Sequence, residues 1–168
     1  KTLAERLLQQ DSGNLFTAVV FSFQEIIRNV IEHSESESFG YCAQRWLKGP
    51  NEGVVELAFM DSGVGLRTSL QKNTRLEVPD DREAIKSALM PGISGAKANS
   101  AGSNARWANS GFGLYMTSRL CSEKGDFFIC SGSTGLHYRV GVENEYFDTS
   151  YSGTLIRMRI NVGELGNA

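Results

Sequence analysis

The stretch Phe21–Ser34, FSFQEIIRNVIEHS, decides the fold that we predict for this chain. Apolar residues recur before and within it at three- and four-residue spacing, which predicts a helix with one face against a core. The predicted core-facing residues are Phe16, Val19, Val20, Phe23, Ile27, Val30 and Ile31. Glu25 and Asn29 lie one turn apart on the opposite side, together with Ser22 and Glu32. In most helices such a polar side is a solvated surface, so taken alone it predicts no site.

Length and composition favour one globular domain. A chain of 168 residues is long enough to bury roughly 70% of its unfolded surface in a single core. The 17 basic and 19 acidic residues give a net charge of −2, which argues against a nucleic-acid binder held by a broad basic surface. The three widely spaced cysteines predict neither a disulfide framework nor a zinc site, so a reducing, cytoplasmic location is expected.

The ends of the chain predict a fragment of a longer protein. No apolar run reaches the length of a transmembrane helix, and the chain does not begin with Met. Residues 1–14 are predicted to be a lead-in or linker, with an amphipathic piece at Thr2–Gln10. Ser12 or Asn14 would cap the long helix, which is expected to end near His33.

The remaining chain predicts further strands and helices. Asp80 and Glu83 have the form of a capping box, which predicts a helix to about Met90. A last helix from Leu114 would end at Gly125, a good C-terminal cap. Strands are predicted at residues 39–47, 54–60, 126–130, 135–142 and 153–162.

Two glycine signals lie far downstream of the central helix. Asp61-Ser-Gly-Val-Gly65 follows a predicted strand, and its glycines allow the backbone to approach a flat or phosphate-bearing ligand. A plain turn is the alternative for that motif. Gly111-Phe-Gly113 opens the last helix, where unpaired backbone N–H groups form an anion site.

The segment Ile93–Ser110 is rich in Gly, Ala, Ser and Asn and nearly lacks large apolar residues. We expect it to be mobile, as a functional lid or as an insert, because it cannot bury enough apolar surface to order itself. Lys97, Arg106 and Asn109 are three candidates within it for contact with a phosphate, and their spacing does not choose among them.

Four features in this order resemble the ATP-binding domain shared by gyrase, heat-shock 90 chaperones, histidine kinases and mismatch-repair proteins, the GHKL superfamily. They are Glu25-x-x-x-Asn29, Asp61-x-Gly-x-Gly65, Gly111-x-Gly113-Leu114 and Gly153-Thr154. The resemblance implies an α+β two-layer sandwich of the Bergerat type, with a mixed β-sheet and helices on one face. That histidine-kinase-like ATP-binding domain would span residues 15–168, with a nucleotide lid at about 66–110.

The resemblance also implies ATP and Mg²⁺ as ligands, and it gives a role to each residue at the base end of the site. Asp61 would accept a hydrogen bond from the adenine amino group, and Thr154 would support the same ring directly or through water. Gly63 and Gly65 would let the backbone approach the base and the ribose.

At the phosphate end, the resemblance implies that Asn29 ligates Mg²⁺ through its amide oxygen. Gly111, Gly113 and Leu114 would form the phosphate cradle. Glu25 matches the position that acts as general base on the attacking water in the members that hydrolyse ATP.

Two functions are consistent with these features. The first is hydrolysis of ATP or transfer of its γ-phosphate to a protein. Glu25 favours hydrolysis or the serine-kinase, anti-sigma-factor-like branch, since many histidine kinases lack a glutamate there. The alternative is a nucleotide-gated interaction module with little turnover. Either function predicts a protein partner or further domains of a longer chain.

Overall fold

The computed structural model describes residues 2–9, 11–49, 52–93, 111–139 and 141–162. The elements in these ranges are α1 (Leu3–Leu8), α2 (Asn14–His33), β1 (Phe39–Gly49), β2 (Glu52–Asp61), α3 (Gly65–Gln71), α4 (Asp81–Ala88), α5 (Gly113–Lys124), β3 (Gly125–Arg139) and β4 (Glu145–Val162). None of the helices in these ranges is long and apolar enough to cross a membrane.

The strands form one sheet in the order β1-β2-β4-β3. Every pairing between these described strands is antiparallel, so the predicted mixed sheet is wrong for this part of the chain. β2 and β3 point the same way, but β4 lies between them and pairs with both. The chain from β2 to β3 therefore connects two parallel strands, as in an α/β unit. These two strands are not hydrogen-bonded to each other, because β4 lies between them.

Alternate residues of the central strands pack against the helices. Their fully buried side chains include Leu57 and Phe59 in β2 and Met158 and Ile160 in β4. Buried residues of all five helices join the same cluster, so the helices cover one face of the sheet. The result is an α+β arrangement of two layers, as predicted.

The buried side of α2 includes most of the predicted stripe but extends beyond it. Ile31 was predicted to face the core but is 70% exposed, whereas Ile26 is fully buried. The polar side is also covered, because Ser22 and Glu25 are 1% and 8% exposed. The reason is that α2 packs against α5 as well as against the sheet, so two sides of the helix lose contact with water.

Helix boundaries follow the predicted caps only in part. The Asp80 side chain accepts from the backbone N–H of Glu83 at 2.7 Å, and α4 ends at Ala88, two residues before the predicted end. Gly125 caps α5 as predicted. The predicted cap of α2 is wrong, because the cap position is occupied by Gly13, which has no side chain to accept a capping hydrogen bond.

The lead-in predicted at residues 1–14 contains a helix that packs on the domain. Thr2 and Glu5 form a reciprocal capping box at the start of α1. Leu7 and Leu8 are buried in the common core. The Arg45 guanidinium donates to the Leu7 carbonyl at 2.9 Å, which joins α1 to β1.

β3 turns back on itself around Gly132. Asp126 and His137 are 11 positions apart, yet His137 Nε2 lies 2.7 Å from Asp126 Oδ2. A straight strand would separate them by about 36 Å. Gly132, at the bend, has a φ of +65°. The Asp81 carboxylate lies beside it and accepts hydrogen bonds from the backbone N–H and the hydroxyl of Ser133, both at 2.8 Å. The two strands predicted at 126–130 and 135–142 are thus one bent element.

A charged network covers the outer face of the sheet, opposite the helices. Glu56 lies between Arg157 and Arg159, and Asp126 accepts from Arg157 Nη2 at 2.7 Å and contacts His137. Burial raises the pKa of the Asp126 carboxyl, but the hydrogen bonds from His137 and Arg157 outweigh it and hold that pKa below its ordinary value. The network therefore stabilises the charged form of Asp126.

We predict that Asp126→Asn destabilises the fold at neutral pH by about 1.5–3 kcal/mol, the usual contribution of a hydrogen bond to a charged group. Because the pKa is lower in the folded than in the unfolded chain, the stabilisation is present above the unfolded-state pKa and is lost as the pH falls through the folded-state pKa. Urea unfolding of both proteins at a series of pH values, neutral to acidic, measures this. A difference that does not shrink on acidification would contradict the charge-based origin.

Candidate functional site

A pocket between α2, the sheet and α5 brings together nearly all of the predicted site residues. Those that line it are Glu25, Asn29, Asp61, Gly65, Gly111, Gly113, Leu114 and Thr154. Gly63 is not among the lining residues, but it belongs to the turn that forms one wall. These predicted residues come from four separated segments of the chain, so the tertiary fold and not a local motif creates the pocket.

Glu25 lies where α2 meets the first turn of α5. Its Oε1 is 2.5 Å from Arg28 Nη1. A Cβ added to Gly113 would lie 2.6 Å from the Cβ of Glu25 and 2.7 Å from its Oε2. The absence of a side chain at Gly113 is therefore required by Glu25, and the carboxylate is held against the start of a helix.

Asp61 is a buried carboxylate at the end of β2, where it pairs in register with Thr154 of β4. Its side chain accepts from the backbone N–H of Gly63 at 2.9 Å and from that of Thr154. Burial raises the pKa of the Asp61 carboxyl, and these two backbone hydrogen bonds offset part of the shift. Since an ionised carboxylate has about four acceptor positions, this one can accept further hydrogen bonds from a ligand in the pocket.

The glycines of the turn after β2 have close protein neighbours. The Ser34 carbonyl accepts from the backbone N–H of Val64 at 2.8 Å, and it occupies the place of a Cβ at Gly63. Gly65 has a φ of +73°, and a Cβ there would lie 2.9 Å from Ser131 Oγ. Packing within the protein thus explains both glycines, while their approach to a base and ribose stays a prediction.

The predicted lid at 66–110 divides into two parts. Its first part, Leu66–Ile93, contains α3 and α4, and Leu70, Val78 and Ile85 join the core. The backbone N–H of Gly92 donates to the Gly111 carbonyl at 3.1 Å, so the two ends of the second part lie together. Residues 94–110, with the phosphate candidates Lys97, Arg106 and Asn109, lie outside the described residues.

Two pocket residues with ionisable side chains were not predicted from the sequence. Arg28 and His33 line the pocket beside Glu25 and Asn29. Burial lowers the pKa of the His33 imidazole, with Glu32 opposing the shift and Lys72 adding to it. Helical spacing could have identified both, because Arg28 is three positions from Glu25 and His33 is four from Asn29.

The groups at the phosphate end of the pocket are of the kinds that could bind an anion together with Mg²⁺. α5 begins at the pocket, and its first residues have no side-chain cap, so their backbone N–H groups are available to an anion. No group of three or more His, Cys, Asp or Glu side chains in the described part of the chain could hold a metal. Mg²⁺ in nucleotide sites takes most of its ligands from phosphate and water, so the single amide of Asn29 is compatible with it.

We predict that Gly113→Ala destabilises the protein by about 1–3 kcal/mol through overpacking against Glu25. In an ordinary helix the same change would stabilise by up to about 1 kcal/mol. A loss of stability would therefore indicate overpacking and not helix propensity. Gly40→Ala is the matched control, because the nearest atom to its Cβ is the flexible Met60 side chain at 3.4 Å. Chemical denaturation of both variants measures the effect.

The double variant Glu25→Gly/Gly113→Ala tests the cause of that loss. Moving the glycine from α5 to α2 removes the clash, so the double variant should lose less stability than the sum of the two single changes. Additive losses would contradict direct contact between Glu25 and residue 113.

Comparison of the chain with models of protein families and with curated proteins found no match. The functional assignment therefore depends on the chemistry of the pocket residues.

Proposed function

We propose that this chain is a Mg²⁺-dependent ATP-binding domain of the GHKL type, with a Bergerat fold, that hydrolyses ATP or transfers its γ-phosphate to a protein. One observation carries the proposal: residues of four sequence motifs, far apart along the chain, line one pocket. No single motif requires this convergence, since each would also occur in an isolated helix, strand or turn. A shared ligand explains why all four occur together.

At the base end, Asp61 is proposed to accept from the adenine amino group. The side chain is already oriented by two backbone donors, so little ordering is needed when a base binds. Apolar side chains that suit the faces of a flat ring line the same pocket: Phe59, Leu66, Leu70 and Ile156. Thr154, beside Asp61, would add a hydroxyl to this end.

At the phosphate end, the start of α5 is proposed to bind the phosphates through Gly111, Gly113 and Leu114. Asn29 would hold Mg²⁺, which neutralises phosphate charge when bound. Glu25 would accept a proton from the attacking water. Its carboxylate is anchored on one side by Arg28, which fixes its direction in the pocket.

A reducing, cytoplasmic location is part of the proposal. Cys42, Cys121 and Cys130 are all free thiols. Burial raises the pKa of the Cys121 thiol to about 12, so it is unreactive at neutral pH. A protein that accepts the phosphate, or further domains that sense the nucleotide, would complete the function.

We predict that Asp61→Asn weakens ATP binding but does not lower the stability of the nucleotide-free protein. An amide can present a donor where the adenine needs an acceptor, so ATP affinity should fall by about 1–3 kcal/mol, or about 5- to 150-fold. Because the folded-state pKa of Asp61 is raised, its stabilising effect is present only below the unfolded-state pKa and is lost as the pH rises. The nucleotide-free variant should therefore melt no lower than the unchanged chain at neutral pH.

Calorimetric titration with ATP and thermal melting without it measure the two effects. Unchanged ATP affinity would refute the adenine role of Asp61. A large loss of thermal stability would instead show that the variant fails through misfolding.

Glu25 and Asn29 should fail differently when changed. Asn29→Ala should weaken Mg²⁺-dependent ATP binding, whereas Glu25→Gln should leave binding nearly intact and lower turnover by about 10²–10⁴-fold. Incubation with γ-labelled ATP and Mg²⁺ shows whether the label goes to water, to the chain itself or to an added protein. Equal loss of ATP affinity in both variants would refute the general-base role and favour the nucleotide-gated module.

A further inference from the structure

We infer that Ser131 is a positioning residue that controls which base the pocket accepts. Ser131 is 3% exposed and is not among the residues that line the pocket. Its hydroxyl donates to the Gly153 carbonyl at 2.7 Å and accepts from the backbone N–H of Leu66 at 2.9 Å. The inference rests on the proposed nucleotide function, because it concerns the base end of the same pocket.

The two partners of this hydroxyl belong to different walls of the pocket. Leu66 lines the pocket from the first turn of α3. Gly153 directly precedes Thr154, whose backbone N–H donates to Asp61. Ser131 therefore links the wall that carries Leu66 to the wall that carries Asp61 and Thr154.

The packing around Ser131 leaves little freedom for these walls to move. A Cβ at Gly65 would lie 2.9 Å from Ser131 Oγ and 3.3 Å from the Gly153 carbonyl oxygen. Without the hydroxyl, the Leu66 N–H and the Gly153 carbonyl would lose a shared partner in a buried place. The turn after β2 could then shift relative to β4 and change which base edge meets Asp61. The phosphate end, on α2 and α5, would stay in place.

The test is calorimetric titration of Ser131→Ala with ATP, GTP and inorganic tripolyphosphate, each with Mg²⁺. The ratio of ATP to GTP affinity should fall at least about fivefold, as expected for loss of one hydrogen bond. Tripolyphosphate affinity should not change, since that ligand has no base. Ser131→Thr keeps the hydroxyl and should keep the ratio close to that of the unchanged chain.

Ser118→Ala is the matched control. Ser118 is also a buried serine, and its hydroxyl donates to the Tyr115 carbonyl at 2.8 Å within α5. Loss of that hydroxyl should leave the ATP to GTP ratio unchanged. Thermal melting of each variant shows that the fold is retained.

Two results separate failure of this inference from failure of the proposed function. If ATP binds and Asp61→Asn loses the preference for ATP, an unchanged ratio in Ser131→Ala overturns the role of Ser131 alone. Equal losses for ATP, GTP and tripolyphosphate in Ser131→Ala would also overturn it, since Ser131 would then act on stability only. If the unchanged chain binds no ATP, the proposed function fails and the inference fails with it.

Discussion

The pairing of β2 with β4 is the constraint on which the rest of the structure depends. These strands are separated in sequence by three helices and β3, yet they lie side by side with Asp61 opposite Thr154. β4 lies between β2 and β3 in the sheet. The segment that connects β2 to β3 must therefore cross one face of the sheet before β3 joins it at the edge. α3, α4 and α5 are thereby laid over the inner face next to α2, and the pocket lies where they meet.

Close approach of these elements forms the walls of the pocket. The Ser34 carbonyl at the end of α2 fills the space beside Gly63, and Glu25 fills the space beside Gly113. Glycine at such positions costs backbone entropy, so it persists only where the packing requires it. Walls built from contacts between helices and strands hold a ligand more accurately than a free loop does.

Carboxylates on the two faces of the sheet have different partners. On the outer face, Glu56 and Asp126 are paired with arginine side chains. The pKa of Asp126 lies below its ordinary value there, so ionisation of Asp126 stabilises the fold. On the inner face, the hydrogen bonds described for Asp61 come from backbone N–H groups, and burial still raises the pKa of its carboxyl. Buried ionisable groups with shifted pKa values are enriched at functional sites.

Local sequence patterns were sufficient to place most elements, but not most of their ends. Asp61 ends β2 and Gly113 begins α5, each one residue from the predicted boundary, and the Asp80 cap is as predicted. These three features depend on neighbours within one strand or one helical turn. α3 was not predicted, and β4 begins at Glu145, eight residues before the predicted strand. The same patterns gave the faces of α2 only in part, since Ile31 is exposed and Glu25 is buried. Periodicity identifies an apolar stripe, but it cannot show that a second helix covers the polar side.

Contacts between distant segments required the tertiary structure. The reversal of β3 at Gly132 and the position of Ser131 between two walls depend on partners far away in the sequence. The order of the strands has the same origin, and it made the sheet antiparallel where a mixed one was expected. The motifs meet in one pocket because strand register sets the distances between them, and no pattern of neighbouring residues contains that register.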